Sequence, residues 1–360
     1  MSSYSQPRTS RATSNGLCSC LTPTAKLVLD PTVGISVSKG KSDKEYQMMT
    51  TQNYIEMLSY MRPEGTKAQR KFCNRFLLPV FGEPDDRGNY ILRVGNPTVA
   101  FMSHHDTVHR NGGMQKIIIN DNNFATTTEN CLGADCTTGV YIMLRMIEAG
   151  VEGLYIVHTA EEVGCRGSSY IVYHTPEVVD GIQAAVSFDR YGYNSIITHQ
   201  SGVRTCSEQF SDSLADILQC DYKSDRYGSY TDSNEYRGII PECTNISVGY
   251  FDQHSKKESQ DLDFLEIITD SCINADWSKL EICRNPSKPS TDWDLFDTDT
   301  DKATYSEYDD DVDFDPDMEQ LIAERPKSVA ILLQSHGYDV NELEYALSFV
   351  RDGYYPQSGN

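Results

Sequence analysis

The sequence predicts an α/β protein with a mixed, centrally parallel sheet flanked by helices, and a small helical hairpin at the C-terminal end. Three observations carry this prediction. Four short, mostly apolar runs (residues 97–102, 154–157, 184–188 and 246–248) have the length and character of strands buried on both faces. Stretches of helical periodicity alternate with them, as parallel strands joined by crossover helices require. A dense acidic block then separates this body from a last pair of helical patterns.

Each element follows from local chemistry. Residues 1–46 are rich in Ser and Thr without sustained periodicity, and read as a flexible segment with a short edge strand around Lys26–Leu29. Cys18 and Cys20 have no second pair at zinc-finger spacing and read as idle thiols. The main domain spans 47–285. Met48–Tyr60 and Thr66–Leu78 are helical in pattern, Gly88–Val94 alternates as a strand, and Met114–Ile119 with Asn123–Thr127 forms a hairpin around Asp121 and Asn122. Helices follow at Gly139–Ala149, Gln209–Leu218 and Asp263–Ile273, and Ser195–Thr198 is strand-like. Residues 286–316 are an acidic linker. From Asp292 to Glu319, thirteen acidic residues face one lysine, Lys302. Such a block repels itself and stays solvated, although the interleaved Trp293, Phe296, Tyr305, Tyr308 and Phe314 suit a partner-binding segment. In 317–360, Pro326–Ser335 and Val340–Arg351 carry apolar residues at helical spacing, with Gly337 and Gly353 at C-cap positions. This hairpin is too small to bury much alone, so it is expected to dock on the body or on a protein partner.

Composition excludes several classes. The 360 residues carry 31 Lys and Arg against 53 Asp and Glu, a net charge of −22, the opposite of a nucleic-acid footprint. No apolar run approaches the roughly 18–20 residues of a membrane span, and Arg8 and Arg11 lack the apolar stretch of a signal peptide. Eleven cysteines without an export signal read as reduced thiols of a cytoplasmic protein. Motifs of serine hydrolases, phosphate loops, dinucleotide sites and single-zinc proteases are absent from the sequence.

The chemistry lies where the buried runs end. The first runs into Ser103-His104-His105-Asp106, the second into His158-Thr159-Ala160-Glu161-Glu162, the third into Asp189, and the fourth reaches His254 after Gly249-Tyr250-Phe251-Asp252-Gln253. Asp135 precedes the helix at Gly139. In open α/β sheets, ligands bind beyond the carboxyl ends of the strands, so these groups are expected to converge on one edge. Such a cluster is repulsive and costly to desolvate without a cation. Imidazole and carboxylate suit Zn²⁺, with Co²⁺ or Mn²⁺ able to use the same ligands. A two-metal site takes two His, two terminal carboxylates, one bridging carboxylate and one free base. His104, His254, Asp189, Glu162, Asp135 and Glu161 fill those six roles. Strand alternation puts His104 and Asp106 on one face, so Asp106 can orient the His104 ring, while His105 points away. Glu161 and Glu162 point different ways, so one can bind metal while the other holds a proton.

These residues resemble the co-catalytic two-zinc exopeptidases, the family of peptidase T, bacterial leucyl aminopeptidase and acetylornithine deacetylase. The motifs are His104-x-Asp106-Thr107, Leu132-Gly133-Ala134-Asp135, Thr159-Ala160-Glu161-Glu162-Val163-Gly164, Phe188-Asp189 and His254-x-x-x-Glu258, in the family's order over about half the chain. The resemblance implies two Zn²⁺ ions, one held by His104, Asp189 and bridging Asp135, the other by Glu162, His254 and the same Asp135. It implies Glu161 as general base and acid acting on a water shared by the metals, and Asp106 as orienter. The substrate implied is a peptide, cut by an aminopeptidase or dipeptidase. The 65 residues from Asp189 to His254 leave no room for the lid domain that several members insert there.

One position departs from the pattern. Cys136 stands where many members have a second acid, at a junction where the family often has a cis peptide, so the isomer here is left open. Cys136 itself reads as a small buried hydrophobe. His158 is expected as a strand side chain, His109, His174 and His336 as surface groups, and His199 as structural or approaching the site. Tyr250 is expected near His254. Arg190, Arg204, Arg226 and Arg237 are candidates for gripping a substrate carboxylate, with Arg226–Ser233 as the substrate loop. Two rival functions follow: a deacylase or carboxypeptidase-like amidohydrolase on a small acyl-amino acid, and a non-catalytic metal-binding module whose acidic linker and hairpin engage a partner.

Overall fold

The computed structural model describes residues 49–287, with Pro326, Lys327 and Val329 beyond them. Those three are helical; the N-terminal segment, the acidic linker and the rest of the expected C-terminal hairpin lie outside the described residues.

The chain begins with α1 (Thr51–Leu58), β1 (Tyr60–Met61) and α2 (Lys67–Phe72), which passes through a π-helical turn into α3 (Leu78–Phe81). Then come β2 (Tyr90–Val94), β3 (Val99–His104), β4 (Gly113–Met114), and the expected hairpin of β5 (Ile117–Ile119) and β6 (Phe124–Thr127). The long helix α4 (Ala134–Glu148) leads to β7 (Gly153–His158), α5 (Arg166–His174) and β8 (Ala184–Arg190). After β9 (Ser195–Ile197), β10 (His199–Gln200) and β11 (Val203–Arg204) come α6 (Glu208–Leu218), β12 (Lys223–Asp225) and α7 (Asp232–Glu235). The series closes with β13 (Glu242–Ser247), β14 (Tyr250–Phe251), β15 (Ser259–Asp261) and α8 (Leu262–Asn274). Side chains at the caps start several helices: Thr66 accepts from the Gln69 N–H, Ser207 from Phe210, and Asp261 from Asp263 and Phe264. Helix α5 was not anticipated, because its polar first turn, Arg166-Gly167-Ser168-Ser169, hides the period.

Seven strands form the main sheet in the order β12-β9-β13-β8-β3-β7-β2. The four central strands, β13, β8, β3 and β7, are mutually parallel, while β2 runs antiparallel at one edge, and on the other side β9 runs antiparallel to β13 with the edge strand β12 parallel to β9. Strand alternation divides the core between two faces. Phe101, Tyr155, Val186 and Phe188 pack on one side with Val140 and Tyr141 of α4 and Leu265 of α8. Ala100, Met102, Leu154, Ile156 and Ala185 pack on the other with Ile171 of α5. The mostly apolar runs of the sequence reflect this double coverage. Close packing of α4 depends on Gly139, where a Cβ would come within 2.6 Å of the Phe188 carbonyl oxygen and 2.7 Å of Ser103 Oγ. A second, four-stranded sheet, β14-β15-β6-β5, flanks the end of α4. The residues between Asp189 and His254 build strands, α6 and α7 of this body, and no separate domain is inserted. Among the described residues, no helix is long and apolar enough to cross a membrane.

Candidate active site

The parallel strands deliver their ends to one edge, and six of the seven expected site residues meet there around Asp135. His104 closes β3 in register with His158 of β7, Asp189 sits near the end of β8, and Asp135 opens α4. Asp135 faces two imidazoles with its two oxygens. Oδ1 lies 3.1 Å from His104 Nε2, and Oδ2 lies 3.2 Å from His254 Nε2. His104 Nε2 also stands 3.5 Å from Asp189 Oδ1 and 3.8 Å from Glu161 Oε2, while His254 Nε2 stands 3.2 Å from Glu162 Oε2. His104 and Asp135 are buried, whereas His254 sits at the lip with its side chain 49% exposed. The seventh residue, Asp106, lies behind His104.

Three clamps hold this arrangement. The Asp106 carboxylate accepts the backbone N–H groups of Glu161 and Glu162. It stands 3.5 Å from His104 Nδ1, and the closer partner of that nitrogen is the Asp106 carbonyl oxygen at 3.2 Å. Ring orientation, expected from the carboxylate alone, is thus shared with the main chain. The Glu258 carboxylate, 2% exposed, accepts from the backbone N–H of Leu132, Gly133, Ala134 and Asp135. Asn245 brackets Asp189, accepting its N–H at 2.9 Å and donating to its carbonyl at 2.8 Å. Ala160 and His254 adopt left-handed backbone angles (φ 57° and 60°), conformations that non-glycine residues hold only where surroundings fix them.

The electrostatics reflect a crowd of buried acids. Burial and the neighbouring Asp135 push Glu162 up to about 7 and Asp189 up to about 6. Glu161 lies well above the usual carboxylate range through burial, with Asp189, Asp232 and Glu162 adding to it against His104. Hydrogen bonds to Asp135 and Glu162 raise His254 to about 11. Burial opposes the charge of His104, but Glu161, Asp106, Asp135 and Asp189 together hold it well above its ordinary value. Burial also opposes ionisation of Asp135, yet His104 and His254 keep it below the ordinary range.

The donor set suits divalent cations: donor atoms of His104, Asp135 and Glu162 all lie within 4.8 Å of one another. Donors placed tetrahedrally about an ion at about 2.0–2.1 Å lie roughly 3.3 Å from one another. The separations from His104 to Asp135 and Asp189, and from His254 to Asp135 and Glu162, are 3.1–3.5 Å. Glu162 Oε1 is moreover buried without a hydrogen-bond partner. Cys136 Sγ falls within 4.8 Å of donor atoms on His104 and Asp189. Burial keeps this thiol protonated, however, and it donates to the Phe188 carbonyl at 3.1 Å, so it behaves as the small buried residue expected. The Asp135–Cys136 peptide bond is cis, which answers the question left open at this junction.

Other expectations divide. His105 is packed, 3.2 Å from the Gly88 carbonyl and edge-on to Tyr90. His158 is a buried strand residue 2.8 Å from the Tyr236 hydroxyl, His199 is buried in β10, and His174 is exposed. His336 lies outside the described residues. His109 is not a surface group: it is buried under the Gly133 turn, with Nδ1 2.8 Å from Thr107 Oγ1. Tyr250 reaches Asp189 Oδ1 at 3.4 Å. Arg190 is engaged by the Tyr227 carbonyl and Asp225, Arg204 pairs with Glu208, and Arg237 donates to the Asn234 carbonyl. Sequence reasoning assigned no role to Glu258, although its acid four residues after His254 was visible; it missed Asn245, and it named Thr231 only as part of the Arg226–Ser233 substrate loop.

No family model and no curated protein matches the chain. Solved structures do. The aminopeptidase PepT of Bacillus cereus aligns over 62% of this chain and 96% of its own, with a TM-score of 0.52 and 16% identity. A tripeptidase of Staphylococcus aureus aligns over the same shares, 62% and 96%, with a TM-score of 0.52 and 12% identity. The Pyrococcus horikoshii TET1 peptidase, which can assemble into a tetrahedron or a large octahedral shell, aligns over 63% of this chain and 100% of its own, with a TM-score of 0.50 and 13% identity. The chain therefore shares the fold of these peptidases.

Proposed function

We propose that this chain is a two-metal exopeptidase, an aminopeptidase or dipeptidase, that uses Zn²⁺. The observation that carries the reading is the pair of donor triads sharing Asp135, His104–Asp135–Asp189 and His254–Asp135–Glu162, at the separations of ligands around common ions. Bound there, two divalent ions would polarise the scissile carbonyl and lower the pKa of water towards about 7. The chain's own groups do the rest. Glu161, whose Oε2 faces His104 Nε2 at 3.8 Å, is the general base: it takes the proton of the attacking water and returns it to the leaving nitrogen. Burial and neighbouring acids raise its proton affinity, which suits a group that must hold that proton between the two steps. Asp106 holds the Glu161–Glu162 turn and His104 behind the site.

The pooled negative charge favours the free ammonium end of a peptide, and three of the four arginines considered for a substrate carboxylate are engaged elsewhere. Both support the aminopeptidase or dipeptidase reading over the carboxypeptidase-like one. The presence of Glu161 counts against the pure binding module. Elemental analysis of protein purified without chelator and resupplied with zinc should give close to two metals per chain. A peptide-library digest should then show terminal cleavage that a chelator stops. Failure to bind metal after resupply would overturn the reading.

A further inference from the structure

Asp189 is held more tightly than its place in a strand requires. Its backbone is bracketed by Asn245, and its carboxylate is divided between two tasks. Oδ1 faces His104 Nε2, with the Tyr250 hydroxyl 3.4 Å away. Oδ2 accepts the Thr231 hydroxyl at 2.6 Å, the short distance of an O–H donor on an ionised carboxylate. Thr231 is the N-cap residue of α7, a position where a threonine hydroxyl ordinarily accepts a backbone N–H of its own helix. Here it makes no such bond and turns to Asp189 instead.

The next residue anchors it. Asp232, 2% exposed, accepts the Ser168 hydroxyl of α5 at 2.6 Å through Oδ1. Its Oδ2 lies 3.1 Å from His158 Nδ1, and the other nitrogen of that ring meets Tyr236. The dipeptide thus ties the end of β8 to the end of β7 and to α5, the three places from which Asp189 and the Glu161–Glu162 turn arise.

We propose that Thr231 is a positioning residue for the metal on the His104–Asp189 side of the site. By occupying Oδ2, it restricts Asp189 to a single oxygen, Oδ1, turned towards the ion, and leaves the His254–Glu162 side untouched. This rests on the two-metal reading above. Hydrogen-bond partners of ligating carboxylates typically matter by about 10–100-fold in metal affinity.

The test is metal affinity, measured by competition with a chromophoric chelator on the full chain, for wild type, T231V and T231S. Wild type should take up two ions. In T231V, which keeps the shape and removes the hydroxyl, one ion should weaken by about 10–100-fold while the other stays within a factor of two. T231S should restore both. Equal affinities in T231V and wild type, or equal weakening of both ions, would overturn the proposal. So would a folded T231S that behaves like T231V, and this comparison stands even where the valine variant folds poorly. If wild type takes up no ion, the two-metal reading itself fails, which is a different result from two ions that ignore Thr231.

Discussion

The carboxylate of Asp106 accepts the backbone N–H of Glu161 at 3.1 Å through one oxygen, and the other oxygen accepts the N–H of Glu162, also at 3.1 Å. One buried side chain therefore sets where both acids of the turn stand relative to His104, the residue on its own strand end. Asp106 is fully buried, and the histidine pair holds its pKa below the usual carboxylate range against the effect of burial. D106N keeps the volume but replaces one acceptor oxygen by an amide that cannot accept. We expect kcat/KM for peptide hydrolysis to fall by about 10–100-fold, in line with other partners that orient metal ligands, with the fold retained by circular dichroism. Unchanged kinetics would mean that the turn is held by other contacts.

Glu258 does for Asp135 what Asp106 does for the glutamates. Its two oxygens take four consecutive backbone N–H groups, from Leu132 to Asp135. A buried donor left without a partner costs about 1–3 kcal/mol. In E258Q, one acceptor becomes an NH₂ group aimed at two N–H donors, so a loss of about 3 kcal/mol is expected, read as a lower urea midpoint. A midpoint within error of wild type would show that the turn finds other partners.

The sequence showed the residues that gather at the site and hid what holds them. His104, Glu162, Asp189 and His254 were legible because buried apolar runs end at a sheet edge and the chemistry that follows them gathers there, and Asp135 because it stands just before a helix. Asn245 has no such marker, and nothing in the Arg226–Ser233 loop singled out Thr231. Their importance comes from a contact across the sheet, from Asn245 in β13 to the Asp189 peptide in β8, and no local pattern encodes that. Helix α4 was expected from Gly139 yet begins at Ala134, because the irregular backbone at Asp135 and Cys136 interrupts the helical pattern.

His109 was misread for a related reason: a half-polar residue in a polar stretch gives no burial signal. In the fold it lies beneath Gly133, whose added Cβ would come within 2.9 Å of its ring. Burial, with the buried Arg62 cation adding to it, lowers its pKa from 6.5 to about 4. The sign follows from linkage. Between pH 6.5 and 4 the unfolded chain binds a proton that the folded chain refuses, so this contribution is complete above about pH 6.5 and is lost as pH falls towards 4. It amounts to about 3 kcal/mol. H109N cannot titrate, so the difference in unfolding free energy between wild type and variant should shrink or reverse by that amount from pH 7 to pH 4. A pH-independent difference would show that His109 takes up its proton as readily in the fold as in the unfolded chain.

In the proposed mechanism, Glu161 is the residue on which catalysis and binding part company. It belongs to neither donor triad around Asp135, and its Oε2 stands 3.8 Å from His104 Nε2. Removing its ability to take a proton should therefore leave the ions in place. E161Q preserves length and shape and ends proton transfer at Oε2. General acid–base groups contribute about 10²–10⁴-fold, so we expect kcat to fall by at least that much while metal content per chain stays at the wild-type value. A variant that loses both would mean that Glu161 is itself a ligand. A variant that keeps turnover would move the base to Glu162, whose Oε1 is buried without a hydrogen-bond partner.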